Sequence, residues 1–480
     1  MDVPVGFPAA VLHEAETATV DPDDAQRCDA RHVPLVAIDP PGATDLDQAF
    51  AATRRGDGYR VWYAIADVGA FVTPGGAVDA EARRRGVTLY SPDNRAPLHP
   101  PLLSEDRASL LAGTDKPALL WTIDLDGAGE PTRWHLERAM VRVRAAVSYA
   151  RAQAAIDDGS EPVHPEPRLG SGPRLGSGPR IGSGPRIRPE PGNLALLAEI
   201  GRLRQAREAD RGGISINLPA QEIVEHDGTY TLDFDESLPV EGWNAQISLL
   251  TGIVAARTME DAVVGVLRTL PPPRDRAVER LRLTARALGL DWGDDVSYPG
   301  FVRRLTPNTP SCNAFLLQAT RTLRGAGYLG FDGTLPDHRQ HGAIASVYTH
   351  VTAPLRRLVD RFANEILLAL LAGRRPPAWA TEALEELPSL MGRARQRESA
   401  LERAMIDFAE AVVLEPHVGE VFTGYVVDVD PDRGRASIQI TDPAIVAPVD
   451  VDGRRLAETL DLRLRAVDVM ERTVTFDALG

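Results

Sequence analysis

The sequence predicts an α+β fold, a large mixed body followed by a small all-β barrel. Three observations carry this. Residues 31–150 read as short apolar strand segments divided by turn residues. From residue 193 onward, long segments place apolar side chains at helical spacing. Beyond Gly419 the pattern returns to a period of two in five short runs.

The elements follow in order. Residues 1–30 form a short arm in which VGFPAAVLHEAETA can make one helix. The mixed body spans 31–412, and its first part closes with AVSYARAQAAIDD, a helix. PRLGSG begins at Pro167 and again at Pro173, becomes PRIGSG at Pro179 and ends as PRIRPE at Pro185. A six-residue unit of Gly, Ser and Pro cannot pack a core, so 160–192 reads as a flexible insertion. NLALLAEIGRLRQAREADR is an amphipathic helix. A strand pair is expected at 214–217 and 230–235, then a stretch over 243–371 in which helical patterns dominate, interrupted by a turn at prolines 271–273. TEALEELPSLMGRARQRESALERAMIDFAEAVVL is helical with a break at Pro388. Residues 413–480 form the barrel, of OB-fold size and poor in aromatics: Phe422, Tyr425 and Phe476.

Composition narrows the function. The 480 residues are 43% hydrophobic, enough for a sizeable core. No apolar run approaches the length needed to cross a bilayer, and the N-terminus lacks a basic leader, so no membrane association is expected. Cys28 and Cys312 are the only cysteines, which fits a reducing cytoplasm and excludes a disulfide framework. His338 and His341 lack companion ligands, so no zinc site is expected. A net charge of −15 argues against general nucleic-acid binding unless basic residues are segregated into a channel. No GxGxxG or GxxxxGK[ST] stands at a strand–helix junction, so no nucleotide cofactor is expected.

Two segments carry chemistry. In AIDPPGATDLDQ, an apolar run leads into Asp39, Asp45 and Asp47 within nine residues. Carboxylates held that close repel, and a hard divalent cation offsets the cost. A solvated acidic turn is the other reading. In SVYTHVTAPLRRLVDR, Pro354 is expected in the first turn of a helix, with Arg356 and Arg357 beside its exposed N–H groups. Such a site seats a phosphate; an ion-paired surface helix is the other reading. Together the two segments point to phosphodiester chemistry.

These residues resemble a family motif set. Ile38-Asp39, Asp45, Asp47 and Gln48 follow the I-D-x(5)-D-x-D-D motif of the RNB catalytic domain of ribonuclease II and ribonuclease R exoribonucleases. The block from Tyr59 (YRVWYAIADVGAFVTPGGAVDAEARRRGVTLYSPDNRAPLHPPLLSEDRASLLAG), RGGISINLPAQEIV from Arg211 and YTHVTAPLRRLVDR from Tyr348 are similar to further family blocks, in the same order. The resemblance implies an RNB-type fold around an RNA channel with an S1-like OB barrel. It implies 3′-to-5′ processive hydrolysis of single-stranded RNA to nucleoside 5′-monophosphates, with Mg²⁺, or Mn²⁺ in its place. It leaves no room ahead of residue 31 for the cold-shock modules common in the family. A monomer is expected.

Carried over position by position, the resemblance makes Asp39, Asp45 and Asp47 catalytic and metal-site residues and Arg356 the stabiliser of phosphate charge. Tyr90 packs on the 3′-terminal nucleotide; a core tyrosine is its other reading. Tyr348, Thr352, Arg357 and Glu402 join the RNA-contacting set. Gln48 stands where the family has a fourth acid, so a neutral amide replaces a charged metal ligand. Ala353 replaces a serine, and Asn364-Glu365 replaces a common His-Arg pair. These departures leave open an alternative: an RNB-fold protein that binds RNA or a partner with little nuclease activity.

Overall fold

A computed structural model describes residues 3–21, 24–92, 94–160, 192–226, 229–235, 237–307, 309–430, 434–450 and 453–479. The six-residue repeat lies outside the described residues. At the centre is a seven-stranded sheet. Its spatial order is Cys28–Asp29, Pro131–Arg142, Asp115–Leu125, Gly58–Ala66, Gln48–Arg55, Val36–Ile38 and Ala145–Val147. The inner pairs are antiparallel and the two edge strands pair in parallel, which makes the sheet mixed.

Alternation along the strands sends side chains into two cores. Phe50, Val61, Tyr63, Ile65, Trp121 and Ile123 face one, with the helices Asn193–Asp210, Pro239–Ala262 and Leu358–Leu371 packed over it. Ala49, Ala51, Ala64, Ala66, Ala118 and Leu120 face the other. Burial on both faces explains why YRVWYAIA reads as an almost unbroken apolar run.

The expected helices form at Ala9–Thr17, Tyr149–Asp158 and Asn193–Asp210. Three expectations need correction. The partner of Thr229–Asp235 is Ala220–His226, not 214–217. Ile214 and Ile216 instead pack among the helices Asp275–Ala287, Tyr298–Arg304 and Pro310–Thr320, so a period-two pattern was serving a helical core. Pro388 opens the helix Leu387–Leu414 rather than dividing it, because a first-turn residue has no intrahelical N–H bond to lose. Pro354 lies in a turn ahead of the helix Leu358–Leu371, whose N-cap is Arg357.

The C-terminal segment forms a five-stranded antiparallel sheet in the order Ile445–Asp450, Arg435–Ile440, Val421–Asp430, Thr459–Asp468, Thr473–Leu479. It curls around Val426, Ile438, Leu462, Leu464 and Phe476, as expected of an OB fold. Leu232 and Leu414 join that core, so the hairpin and the long helix fasten the barrel to the body. Buried Glu410 completes the seam by accepting from Gln221 at 2.7 Å and the Val446 N–H at 3.0 Å. Among the described residues no helix is long and apolar enough to cross a membrane.

Candidate active site

The acidic loop begins where the sheet ladder stops. Asp39 N–H still donates to the Val147 carbonyl at 3.2 Å. Pro40 and Pro41 cannot donate, Gly42 takes φ +79°, and the chain turns back to rejoin the sheet at Gln48. Ser109 pins this loop: its hydroxyl accepts the Leu46 N–H at 2.9 Å and donates to the Thr44 carbonyl at 2.7 Å. Asp45 accepts from the Tyr90 hydroxyl at 2.6 Å and from Arg95 at 2.9 Å.

The arginine loop closes onto it. Asp47, 2% exposed, accepts the Leu355 N–H at 2.8 Å on one oxygen and meets Arg356 Nε at 3.4 Å with the other. Asp360, fully buried, accepts the Ala353 N–H at 2.7 Å and binds Arg357 through both oxygens at 2.9 and 3.1 Å. The Arg356 carbonyl accepts the Thr88 N–H at 3.0 Å. Asn364 donates to the Val351 carbonyl at 3.0 Å, so this departure from the family pattern braces the loop from below. Glu365 pairs with Arg138, away from the cavity.

The two loops thus place Asp39, Asp45, Asp47 and Arg356 together. Burial pushes the Asp39 carboxyl up to about 7, Asp45 adding to the rise and Arg356 opposing it. Burial also raises Asp47 well above the usual carboxylate range, against the pull of Arg356 and the Leu355 N–H. A cation beside Asp39 and Asp45 would relieve this strain. Among the described residues, no three His, Cys, Asp or Glu side chains form a group able to hold a metal. Asp39 and Asp45 suit a hard divalent cation that takes one or two carboxylates and completes its shell with water and substrate phosphate.

Gln48 turns its amide oxygen to Tyr63, which donates at 2.7 Å, and to Ser248 at 3.5 Å. Tyr63 in turn meets the Ser248 hydroxyl at 2.7 Å, so the Ser248 proton serves Tyr63 and one Gln48 lone pair stays open. Gln48 follows Asp47 directly and opens the strand Gln48–Arg55, at the end of the acidic loop.

A cavity of about 290 Å³ opens beside Arg356, lined also by Tyr90, Arg357, Arg268, His350 and Glu398. Tyr90 is 42% exposed, so it is a wall of the cavity and not a core tyrosine. Tyr348 and Thr352 are buried and do not line it. Tyr348 packs so closely on the helix Pro239–Ala262 that a Cβ at Gly252 would stand 2.1 Å from its ring. Glu402 is exposed on the helix Leu387–Leu414 and lies off the cavity wall; Glu398, one turn earlier, lines it. Burial and the charge of Glu402 raise Glu398, with Arg395, Arg357 and Arg356 opposing. Arg95, Arg268 and Glu398 were not singled out from sequence. For Glu398 a signal existed, since it precedes Glu402 by four residues and shares its helix face.

Comparison with known proteins places the fold. The RNB domain model matches residues 27–373, and the model of the RNase II-type exonuclease C-terminal S1 domain matches 420–479. The chain is 28% identical over 365 residues to the exosome complex exonuclease RRP44 homolog A of Arabidopsis thaliana, covering 73% of this chain and 36% of that protein. It is 24% identical over 448 residues to ribonuclease R of Escherichia coli, covering 89% of this chain and 52% of the relative. The chain thus spans about a third to a half of the length of these relatives. Among solved structures, Mycoplasma genitalium RNase R in complex with ribose methylated single-stranded RNA shares the fold, with a TM-score of 0.83 at 18% identity over 99% of this chain and 76% of that one. Yeast Ssd1, described as a pseudonuclease, also shares it, with a TM-score of 0.64 at 14% identity, covering 96% and 53%. With most of its length matched by that domain model, the chain belongs to the RNB domain family.

Proposed function

We propose that this chain is a 3′-to-5′ exoribonuclease that shortens single-stranded RNA processively and releases nucleoside 5′-monophosphates. The observation that carries the reading is the closure of the Asp39–Asp47 loop onto Arg356 beside a cavity walled by Tyr90. Family membership supports it, as do the activities in the names of the relatives. Mg²⁺ or Mn²⁺, held by Asp39 and Asp45 with Asp47 beside them, would supply an activated water and charge stabilisation at the phosphate.

The chain's own residues do the rest. Arg356, 48% exposed yet anchored on Asp47, can turn its free guanidinium edge to the scissile phosphate and offset charge that grows in the transition state. Arg357 is committed to Asp360 and holds the loop in shape. Tyr90 can pack on the terminal nucleotide while its hydroxyl orients Asp45. Attack by water at phosphorus breaks the bond to the 3′-oxygen of the penultimate nucleotide. The terminal nucleotide leaves with its 5′-phosphate, and the shortened RNA keeps a 3′-hydroxyl.

In the barrel, Phe422 packs edge-on against Phe476 at 6.1 Å, and the Tyr425 hydroxyl accepts from Asn313 at 2.8 Å. Its aromatics are thereby engaged, which favours a wall at the channel entrance over a base clamp. A cytoplasmic, monomeric protein belongs to the same reading, with Cys28 and Cys312 both free thiols.

One observation favours a second reading, an RNA- or partner-binding protein with little nuclease activity. The position of the fourth acid is a neutral Gln48 whose oxygen accepts from Tyr63. Incubation of purified protein with 5′-labelled single-stranded RNA decides between them. The exonuclease produces a descending ladder in Mg²⁺ and stops with chelator. Internal fragments appearing first, or binding without cleavage in both Mg²⁺ and Mn²⁺, would overturn it.

A further inference from the structure

Away from the catalytic cavity, a second concavity lies where the helical part of the body meets the barrel. Arg274, Arg276, Arg280 and Arg321 line one cavity of about 430 Å³, together with Thr284 and Gln318. In a chain of net charge −15, four guanidinium groups on one wall are a local reversal of sign. The helix Asp275–Ala287 explains the segregation. Arg276 and Arg280 are four residues apart and stack on one face, which they share with Ala277, Leu281 and Thr284. Asp275 and Glu279 form the adjacent row and do not line the cavity.

Only Arg321 is neutralised, by Asp428 of the barrel strand Val421–Asp430. Arg274, Arg276 and Arg280 are exposed and have no ion pair among the described residues. The wall behind them is firm. Gln318 donates to Asp428 at 2.7 Å, and Asn313 donates to Tyr425 at 2.8 Å, which ties the helix Pro310–Thr320 to the barrel. Chain connectivity joins this cavity to the catalytic one. Arg268 lines the catalytic cavity and precedes Arg274 by six residues. Their Cα atoms are therefore no more than about 22 Å apart.

We propose that this arginine-lined cavity is a phosphate seat for the RNA backbone, a few nucleotides upstream of the cleaved bond. The inference rests on the RNA-processing reading above. Guanidinium forks match phosphate oxygens. The lining contains no aromatic ring, so the seat holds backbone without reading bases. It gives an acidic protein the local attraction for long RNA that its net charge withholds.

The test uses the full chain with Arg276→Ala/Arg280→Ala, two exposed positions, and the charge reversal Arg276→Glu/Arg280→Glu. Binding of an RNA of about 20 nucleotides, longer than one OB-fold site, is measured in chelator across a salt series. Turnover in Mg²⁺ is measured on that RNA and on the shortest RNA the wild type cleaves. The alanine pair should weaken long-RNA binding about tenfold at low salt and flatten the log–log salt slope by about 1.4, at roughly 0.7 per lost single-strand phosphate contact. The charge reversal should weaken it further, with turnover of the shortest RNA unchanged. An unchanged slope and affinity, or an equal loss on the shortest RNA, would overturn the seat. So would displacement of long RNA by inorganic phosphate or adenosine monophosphate at matched phosphate concentration, which would assign the cavity to a free anion. Should the wild type bind RNA without cleaving it and the slope still flatten, the seat stands and the exonuclease reading falls.

Discussion

Asp47 and Arg356 meet at 3.4 Å, although the chain separates them by most of its length. The same carboxylate also takes the Leu355 N–H at 2.8 Å, so one buried aspartate fixes both the backbone and the guanidinium of the opposite loop. The acidic and arginine segments therefore act as one unit, and charge at position 47 matters for both metal chemistry and the aim of Arg356.

Asp47→Asn keeps the acceptor for Leu355 and removes the charge. Turnover should fall by at least about a thousandfold, while affinity for single-stranded RNA in chelator changes little, since backbone contacts elsewhere dominate binding. Arg356→Ala should show the same division between turnover and affinity. A parallel loss of binding and turnover in single-turnover assays would contradict this.

Gln48→Asp introduces a carboxylate beside the acidic loop, where Asp39 is already raised to about 7 by burial. The Mg²⁺ concentration for half-maximal rate should fall, because a further hard oxygen charge strengthens the attraction for the ion. If it stays the same, Gln48 serves only as the acceptor for Tyr63.

Tyr90 has two separable parts. Tyr90→Phe removes the 2.6 Å bond to Asp45 and keeps the ring, so turnover should drop severalfold with the final product length unchanged. Tyr90→Ala removes the cavity wall and should change that length. Gel analysis of end products resolves the two; identical ladders from both variants would refute the assignment.

His99 supplies a pH prediction. The ring is 1% exposed, and burial, aided by the positive charge of Arg361, holds its pKa down to about 3. The unfolded chain has an ordinary histidine near pH 6.5. Between those values the unfolded state binds a proton that the folded state does not, so stability falls as pH drops from about 6.5 toward about 3, by up to roughly 1.4 kcal/mol per pH unit. His99→Leu should flatten this limb in urea melts. A wild-type slope retained in the variant would assign the acid lability to other groups.

Much of the molecule was legible in sequence because it rests on local rules. Strands with buried faces announce themselves by apolar runs, the helix at Tyr149–Asp158 by its pattern, and the barrel by period-two segments. Asp39, Asp45, Asp47 and Arg356 stand out by type and spacing, and their roles are what the family resemblance implies. Tertiary structure decided what spacing cannot express. It sent the apolar side chains of 214–218 into a helical core and left Pro354 in a turn braced by Asp360. It brought Glu398 to the cavity wall ahead of Glu402, gave Gln48 to Tyr63, and gathered four arginines from two separate segments of the chain around one cavity. Each of these depends on contacts between segments distant in sequence, where burial and hydrogen-bond partners, rather than residue type, determine what a side chain can do.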